Sequence, residues 1–528
     1  MNHELKNKHG LFKKSLSFVI PDNVLSLSKD LIRNLYKAGM IEKFECLVLF
    51  FILSFSLFFR LYKIPDFLGF WYDQGRDALV IWDLLHKGKL FLIGPVTGID
   101  GIFLGPFYYY LIAPFYWLGK GDPVIVSIAV ASMDVITVFL IYLLGKRIYG
   151  TFTGLLAAFL YGFSYNIVLF SRWLSNPAPL PLFTMFVLLS LYSFIGGSKK
   201  SLILASFFIG LCLQLEAASA IFFIPATLII VCQNRKNINL KILLLSLAAF
   251  FITLLPQIYF NFRHDGILMT AFRKFLIEDK SFKINLFNLA KSRIMIYYDT
   301  FLLKIFPVGN VYKIFTLASF SALMIFFKKK VFNKGGKFLS VWIMVPILGF
   351  LFYQGNHGYL WNYYFTGVIP SFIILFSAGL NCFLAKNNAA KIIVLIFLLL
   401  FAGNNIFFLK GFYGSGVGIS LKAEKKAIDY IYQDVGKEDF NVDIYVPPVI
   451  FDSYTYLFKW YGVSKYGREP NTNLVKNLYT LSEKGGLHPL LLRDWLKRQD
   501  KIGKIVKDDF SSGGIAVQKR ERILYEKN

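Results

Sequence analysis

The sequence predicts a mostly α, polytopic α-helical membrane protein with about eleven transmembrane helices and a small C-terminal α/β extracytoplasmic domain. Three observations carry this expectation. Of 528 residues, 56% are hydrophobic and only 17% charged, with 57 Phe and 30 Tyr, a load that soluble chains do not carry. The apolar residues fall into runs of roughly 20, the length that crosses a bilayer. Every connection assigned to the inner side is short and basic, while the long connections all fall on the other side. The formal charge of +26 is spread over these connections and not gathered into one basic domain. This argues against nucleic acid as a partner and leaves membrane lipids as the expected neighbours of the basic clusters.

Taken in order, residues 1–43 read as a basic cytoplasmic arm, with Lys6, Lys8, Lys13, Lys14, Lys29, Arg33, Lys37 and Lys43. An amphipathic helix near Val24–Tyr36 would lie on the membrane. The arm is too long and too polar for the n-region of a signal peptide, so the run after it should stay as an anchor. Residues 44–410 form the transmembrane domain, with external loops at 63–122 and 261–306. Phe44–Tyr62 carries the chain outward. Ala78–His86 has helical spacing in the first loop, with Gly88 as its stop. Val124–Leu144 returns inward and Phe152–Phe170 goes out, followed by a turn at Asn176-Pro177-Ala178-Pro179. A further span ends at Lys199 and Lys200. Leu202–Cys232 is too long for one crossing and reads as a hairpin broken at Gln214 and Glu216. Ile242–Phe260, Ile314–Phe327, Phe338–Tyr353, Phe365–Leu384 and Ile392–Leu409 complete the set. Residues 411–418, rich in glycine, read as a linker without a nucleotide-binding fingerprint. Residues 419–528 read as an extracytoplasmic α/β domain with a helix over Ala423–Val435, a strand over Asn441–Val446, and helix and strand patterns at Leu490–Arg498 and Gly514–Lys519. The four cysteines, Cys46, Cys212, Cys232 and Cys382, lie in or beside apolar runs and have no metal-binding spacing.

The stretch richest in chemistry is Trp71–Pro114, which holds Asp73, Arg76, Asp77, Asp83, Asp100 and a Gly-Pro-Phe-Tyr-Tyr-Tyr cluster. A connection this long between membrane crossings is usually a working loop. Carboxylates just outside the first crossing suit a general base at the bilayer surface. Taken singly, each reads equally as a helix cap or an ion-pair partner.

An Asp shortly after the first transmembrane helix, an interfacial helix, then a Gly-Pro-Phe-Tyr-Tyr-Tyr-Leu entry into apolar chain resembles the first external loop of glycosyltransferase family 39, the protein O-mannosyltransferases and aminoarabinose transferases. That resemblance implies the GT-C fold, a polyprenyl-phosphate sugar donor, and a lipid, glycan or protein acceptor on the outer face of the plasma membrane. It makes Asp73 the catalytic base. The family usually reads Asp-Glu, whereas Asp73 is followed by Gln74; Asp77, one turn on, either takes over the acidic partner's role or pairs with Arg76. Tyr108 and Tyr109 of the aromatic cluster are candidate substrate contacts beside Arg76. Arg172 either balances the carrier phosphate or snorkels to the interface. Glu216 stands where relatives often place a polar residue facing the cavity. His357 and Tyr363 resemble the polar-aromatic segment before a late transmembrane helix, and equally an interfacial aromatic belt. Arg263 and Arg273 read as loop charges. Asp73, Asp77 and Asp100 are a conceivable cation site, but the family generally needs none, and neither a metal nor any other cofactor is expected. The rival class is a transporter or flippase for lipid-linked sugars. Transporters commonly show internal repeats and mid-span breaks; here no repeat is visible and the polar residues concentrate in the outer loops.

Overall fold

The computed structural model describes residues 22–99, 101–275, 286–303, 305–306, 321, 324–353, 358–415, 418–447, 449–483 and 489–523. The chain divides into two compact units, residues 1–54 and 55–528.

Helix α1 (Asp22–Leu61) runs without a break, so the expected separate helix at Val24–Tyr36 and the first span are one element. Its Glu42–Leu61 portion is one of five helices among the described residues that are long and apolar enough to cross a membrane. The others fall in α4 (Pro123–Tyr149), α10 (Leu240–Arg263), α12 (Lys334–Leu351) and α14 (Asn388–Ser415). Between these lie α2 (Tyr72–Lys87), α3 (Phe107–Leu118), and the pair α5 (Thr151–Phe163) and α6 (Tyr165–Ser171), followed by α7 (Leu180–Ile195), α8 (Ser201–Leu215) and α9 (Phe223–Gln233). Further on come α11 (Leu286–Tyr298) and α13 (Ile369–Leu384).

The expected third span is bent by 67° between α5 and α6. No proline marks the break. Asn405 of α14 accepts from the Tyr165 amide at 2.7 Å, so the freed backbone donor finds a side chain from a neighbouring helix. The Leu202–Cys232 run breaks at Glu216 as its polar residues suggest. Asn176 of the Asn-Pro turn donates to the Leu215 carbonyl at 2.6 Å and satisfies the broken end. Most of the Ile314–Phe327 expectation lies outside the described residues. Among the described residues, five helices, or six with the bent pair as one span, are long and apolar enough to cross, and α7, α8 and α13 are shorter apolar helices of 15 or 16 residues.

One ion pair lies deep among these helices. Arg60 is fully buried and donates to Asp134 from Nε (2.9 Å) and Nη2 (2.7 Å). Its Nη1 reaches Ser56 Oγ (2.6 Å) and the Gly162 carbonyl (2.9 Å), while Tyr161 donates to the other Asp134 oxygen at 2.8 Å. Both charges are thus paired and hydrogen-bonded, the only condition under which burial at this depth is tolerable.

Helix α14 continues through the expected linker to Ser415, with Gly411 and Gly414 inside it. Glycine in a helix costs only about 1 kcal/mol, and Phe412 and Tyr413 pack on Phe67 and Tyr62 with centroids 5.0–5.9 Å apart. After it come α15 (Leu421–Val435), β1 (Phe440–Tyr445), α16 (Asp452–Leu457), β2 (Asn477–Glu483), α17 (Pro489–Ile502), β3 (Gly503–Ser512) and β4 (Ile515–Arg522). The four strands form one sheet in the order β1-β2-β4-β3; β1 and β2 are parallel and the other pairs antiparallel. The strands at 477–483 and 503–512 carry no clean alternation and are not legible beforehand.

This C-terminal segment is docked on the first long loop. The Leu421 amide donates to the Leu68 carbonyl at 2.8 Å. Tyr456 packs among Phe70, Trp82 and Tyr116, with centroids 5.8–6.1 Å away, and its hydroxyl donates to the Gly121 carbonyl at 2.6 Å.

Candidate functional site

Helix α2 carries the site. The Trp71 amide at its start donates to Gln74 Oε1 at 3.0 Å, closing the first turn. Gly88, at φ 65°, stops it in the left-handed conformation that glycine adopts without strain. Gln74 therefore does not stand as an acidic partner to Asp73. It is buried, and its Nε2 donates to the Leu174 carbonyl at 3.0 Å, tying α2 to the turn after α6.

Arg76 lies between two carboxylates. Its Nη1 meets Asp73 Oδ1 at 2.7 Å, and Nε and Nη2 meet Asp77 Oδ1 at 3.0 and 2.8 Å. Asp77 is almost fully buried and also accepts from Tyr109 at 3.2 Å, whereas Asp73 keeps 38% of its side chain exposed. Burial pushes the Asp77 carboxyl up to about 6, against the opposing pull of Arg76. Of the two open alternatives, the geometry pairs Asp77 with Arg76. Tyr108, beside Tyr109, is fully buried and its hydroxyl meets no partner among the described residues.

Helix α16 closes over α2 at Gly75. A Cβ built at Gly75 would stand 2.1 Å from the Ser453 backbone nitrogen, so only glycine permits this approach. The contact brings Asp452 into the field of Arg76 and Asp73; burial raises its carboxyl, with Arg76 opposing. Gly75→Ala is expected to force α16 off α2, with a loss of about 1–3 kcal/mol for overpacking. Gly403→Ala, in α14 where a Cβ meets nothing within 4 Å, should leave stability unchanged or slightly raised. Thermal unfolding and limited proteolysis of the detergent-purified variants check both.

The Gly-Pro-Phe entry to α3 is held by Gln214. Gln214 Oε1 accepts from the Phe107 amide at 3.1 Å and its Nε2 donates to the Thr253 carbonyl at 2.6 Å. Two residues on, Glu216 is 8% exposed and caps the turn after α8, accepting from Ala218 at 3.2 Å. Tyr363 precedes α13. Burial first, then the negative charges of Glu216 and Asp73, hold its phenol well above the ordinary range, which puts it electrostatically in reach of both carboxylates. Trp173 and Trp361 flank its ring at 5.9 and 6.0 Å. These rings line a cavity of about 380 Å³ together with Tyr161.

Arg172 is 7% exposed, and its Nη2 is buried and meets no partner among the described residues. Its Nη1 lies 2.8–3.2 Å from the carbonyls of Phe59, Arg60 and Tyr62, capping the C-terminal end of α1. Its guanidinium stacks over Tyr413 and Phe412 at 5.3 and 5.8 Å. His357 and Asp100 lie outside the described residues. Arg293, which the sequence reading did not single out, donates to the Tyr353 and Gly358 carbonyls at 3.1 and 2.8 Å, on either side of the segment containing His357. No cluster of three or more His, Cys, Asp or Glu able to hold a metal is present among the described residues.

Residues 104–260 match the sequence model of the family described as dolichyl-phosphate-mannose-protein mannosyltransferase. No curated protein matches the chain. The fold is similar to that of ArnT from Cupriavidus metallidurans in the apo state, with a TM-score of 0.55 at 11% identity, covering 92% of this chain and 98% of that one. It is equally similar to ArnT from the same organism bound to undecaprenyl phosphate, with a TM-score of 0.53 at 12% identity, covering 91% and 98%. At such identities the structural likeness speaks for the GT-C fold. With the family match, which takes in the Gly-Pro-Phe-Tyr-Tyr-Tyr entry at 105–110 and not Asp73, it bears out the resemblance to that family and indicates a membrane glycosyltransferase.

Proposed function

We propose that this chain moves a sugar from a polyprenyl-phosphate carrier to a lipid, glycan or protein acceptor on the outer face of the plasma membrane, with Asp73 as general base. The observation that carries this reading is the unequal pair on Arg76: one carboxylate buried and hydrogen-bonded, the other half open. Asp73 Oδ1 is fixed by Arg76, so the carboxylate is oriented for proton transfer. In the reaction the acceptor hydroxyl oxygen bonds to the anomeric carbon as the bond from that carbon to the carrier phosphate breaks. The hydroxyl proton passes to Asp73 and the electron pair leaves with the phosphate. A carrier phosphate bound in the ArnT structure of similar fold supports the donor class.

Asp77 gives this reading a pH signature. Below about 6 its carboxyl is protonated. Arg76 then concentrates its charge on Asp73 and makes it a poorer base. Turnover should therefore fall as the pH drops through about 6, and Asp77→Asn should remove that limb while lowering the plateau modestly. A pH–rate profile of the two proteins checks this.

The reading as a whole is tested by incubating the purified protein with radiolabelled polyprenyl-phosphate sugars and following release of carrier phosphate with label transfer to an acceptor extract. Release by no donor, with label crossing sealed vesicles instead, would sink it in favour of a flippase. Orientation is tested separately: Lys329→Cys should resist membrane-impermeant thiol reagents in intact cells, and Thr97→Cys should react.

A further inference from the structure

Where α10 and α12 begin, two separate connections turn back onto the end of α7. Asn237, in the link from α9 to α10, donates to the Phe194 carbonyl at 2.8 Å. Lys334, the first residue of α12, brings its Nζ within 3.4 Å of the Ile195 carbonyl. A cleft of about 410 Å³ lies here, with Gly196, Gly197, Gln233, Arg235, Lys236 and Lys334 in its lining. Gly197 stands at φ 103°, a conformation that favours glycine, and a Cβ there would meet nothing within 4 Å, so the backbone is bare at this point. Arg235, Lys236 and Lys334 give the lining three positive charges, and it includes no acidic residue. The connections that supply it, residues 196–200, 234–239 and 328–337, contain no Asp or Glu. Membrane orientation depends on the number of basic residues in such connections. Here charges from two of them converge on one cavity, where like charges repel and no carboxylate of these connections relieves them.

The cleft also has a level in the bilayer. Helices α10 and α12 are both long and apolar enough to cross a membrane, and both start beside it, so it lies where hydrocarbon gives way to headgroups. Next to it Leu228 and Ile229 of α9 and Leu240 and Leu244 of α10 are exposed, a surface suited to acyl chains. We propose that this cleft is a headgroup site for an anionic phospholipid, its phosphate held by Arg235, Lys236 and Lys334 and its acyl chains lying along α9 and α10. The guanidinium offers a fork of donors to phosphate oxygens, and the two ammoniums add point charges. A zwitterionic headgroup brings an ammonium of its own into a lining with no acid to receive it, so phosphatidylglycerol is preferred over phosphatidylcholine. Free inorganic phosphate presents the same oxygens without the apolar contact. The site shares no residue with the aromatic cavity or with α2. A lipid bound here touches the ends of α7, α9 and α12 at once and stabilises the folded chain by mass action.

The test adds three probes to the detergent-purified full chain: phosphatidylglycerol, phosphatidylcholine and inorganic phosphate. Native mass spectrometry counts the lipid retained, and thermal unfolding reads the stabilisation. Phosphatidylglycerol should be retained at least about fivefold over phosphatidylcholine. It should also raise the transition temperature where inorganic phosphate at the same concentration does not. Replacing Arg235→Gln, Lys236→Gln and Lys334→Gln together should abolish the preference. Replacing Lys328→Gln, Lys329→Gln and Lys386→Gln removes the same charge from outside the lining and should keep it. The three lining side chains are exposed. Should their triple variant unfold, Arg235→Gln with Lys236→Gln leaves Lys334 on the Ile195 carbonyl and should lose most of the preference. Equal retention of the two lipids by the wild type would overturn the proposal. So would an equal loss in the two triple variants, which makes the preference a property of the whole basic face. Displacement of phosphatidylglycerol by an equal concentration of inorganic phosphate would overturn it too, in favour of a free-anion site.

Discussion

Asp73→Asn lowers turnover by about 10²–10⁴-fold, the span that general-base catalysis typically contributes, while donor affinity barely moves. The substitution keeps shape and a hydrogen-bonding oxygen toward Arg76, so α2 should stay in place and the loss should fall in kcat rather than KM. Asp77→Asn is the comparison. Asp77 is buried under Tyr109 and shares Arg76, so its effect should be smaller and carried through Arg76. If Asp77→Asn abolished turnover while Asp73→Asn preserved it, the base would lie one helical turn along. If neither mattered to transfer of any sugar, the glycosyltransferase reading would lose its chemical centre.

The second large effect is on stability. Asp134→Ala removes the partner of a fully buried guanidinium and is expected to cost about 3–5 kcal/mol, because the remaining charge has neither water nor counter-ion. Hydrogen bonds to Ser56 and Gly162 would persist but cannot neutralise it. The double replacement Arg60→Met with Asp134→Leu should recover most of that loss, since both charges leave together. Thermal unfolding in detergent decides. An unaltered transition in Asp134→Ala would mean that water reaches Arg60.

The sequence was most informative where local chemistry decides structure. Apolar run length located most of the bundle, Gly88 stopped α2 where a left-handed residue was required, and the polar Gln214–Glu216 step broke the hairpin. The acidic loop and its Gly-Pro-Phe-Tyr-Tyr-Tyr entry were visible as a unit. What stayed hidden depends on residues far apart in the chain. An arginine closing a span reads the same whether it meets phosphate, lipid headgroups or backbone; only the position of the α1 terminus beside it makes Arg172 a cap. Gln74 looked like a missing carboxylate until Trp71 and Leu174 were seen to occupy both ends of its amide. The bend at Ser164 has no proline to announce it, because the compensating acceptor, Asn405, arrives from another helix. Glycines at 411 and 414 mimic a linker, since propensity is weak beside the packing of Phe412 and Tyr413.

The docking of Tyr456 onto the first loop sets an order in time. Its hydroxyl closes on the Gly121 carbonyl across 335 residues of chain. At about 5–20 residues per second of synthesis, the loop is made tens of seconds before the segment that seats it. Newly inserted chains thus pass through a stage in which the bundle is nearly complete and Phe70, Trp82 and Tyr116 still lack their lid. A surveillance protease or a chaperone at the membrane surface would find its window there, and a ribosome stalled before codon 456 should leave a membrane-embedded product without activity.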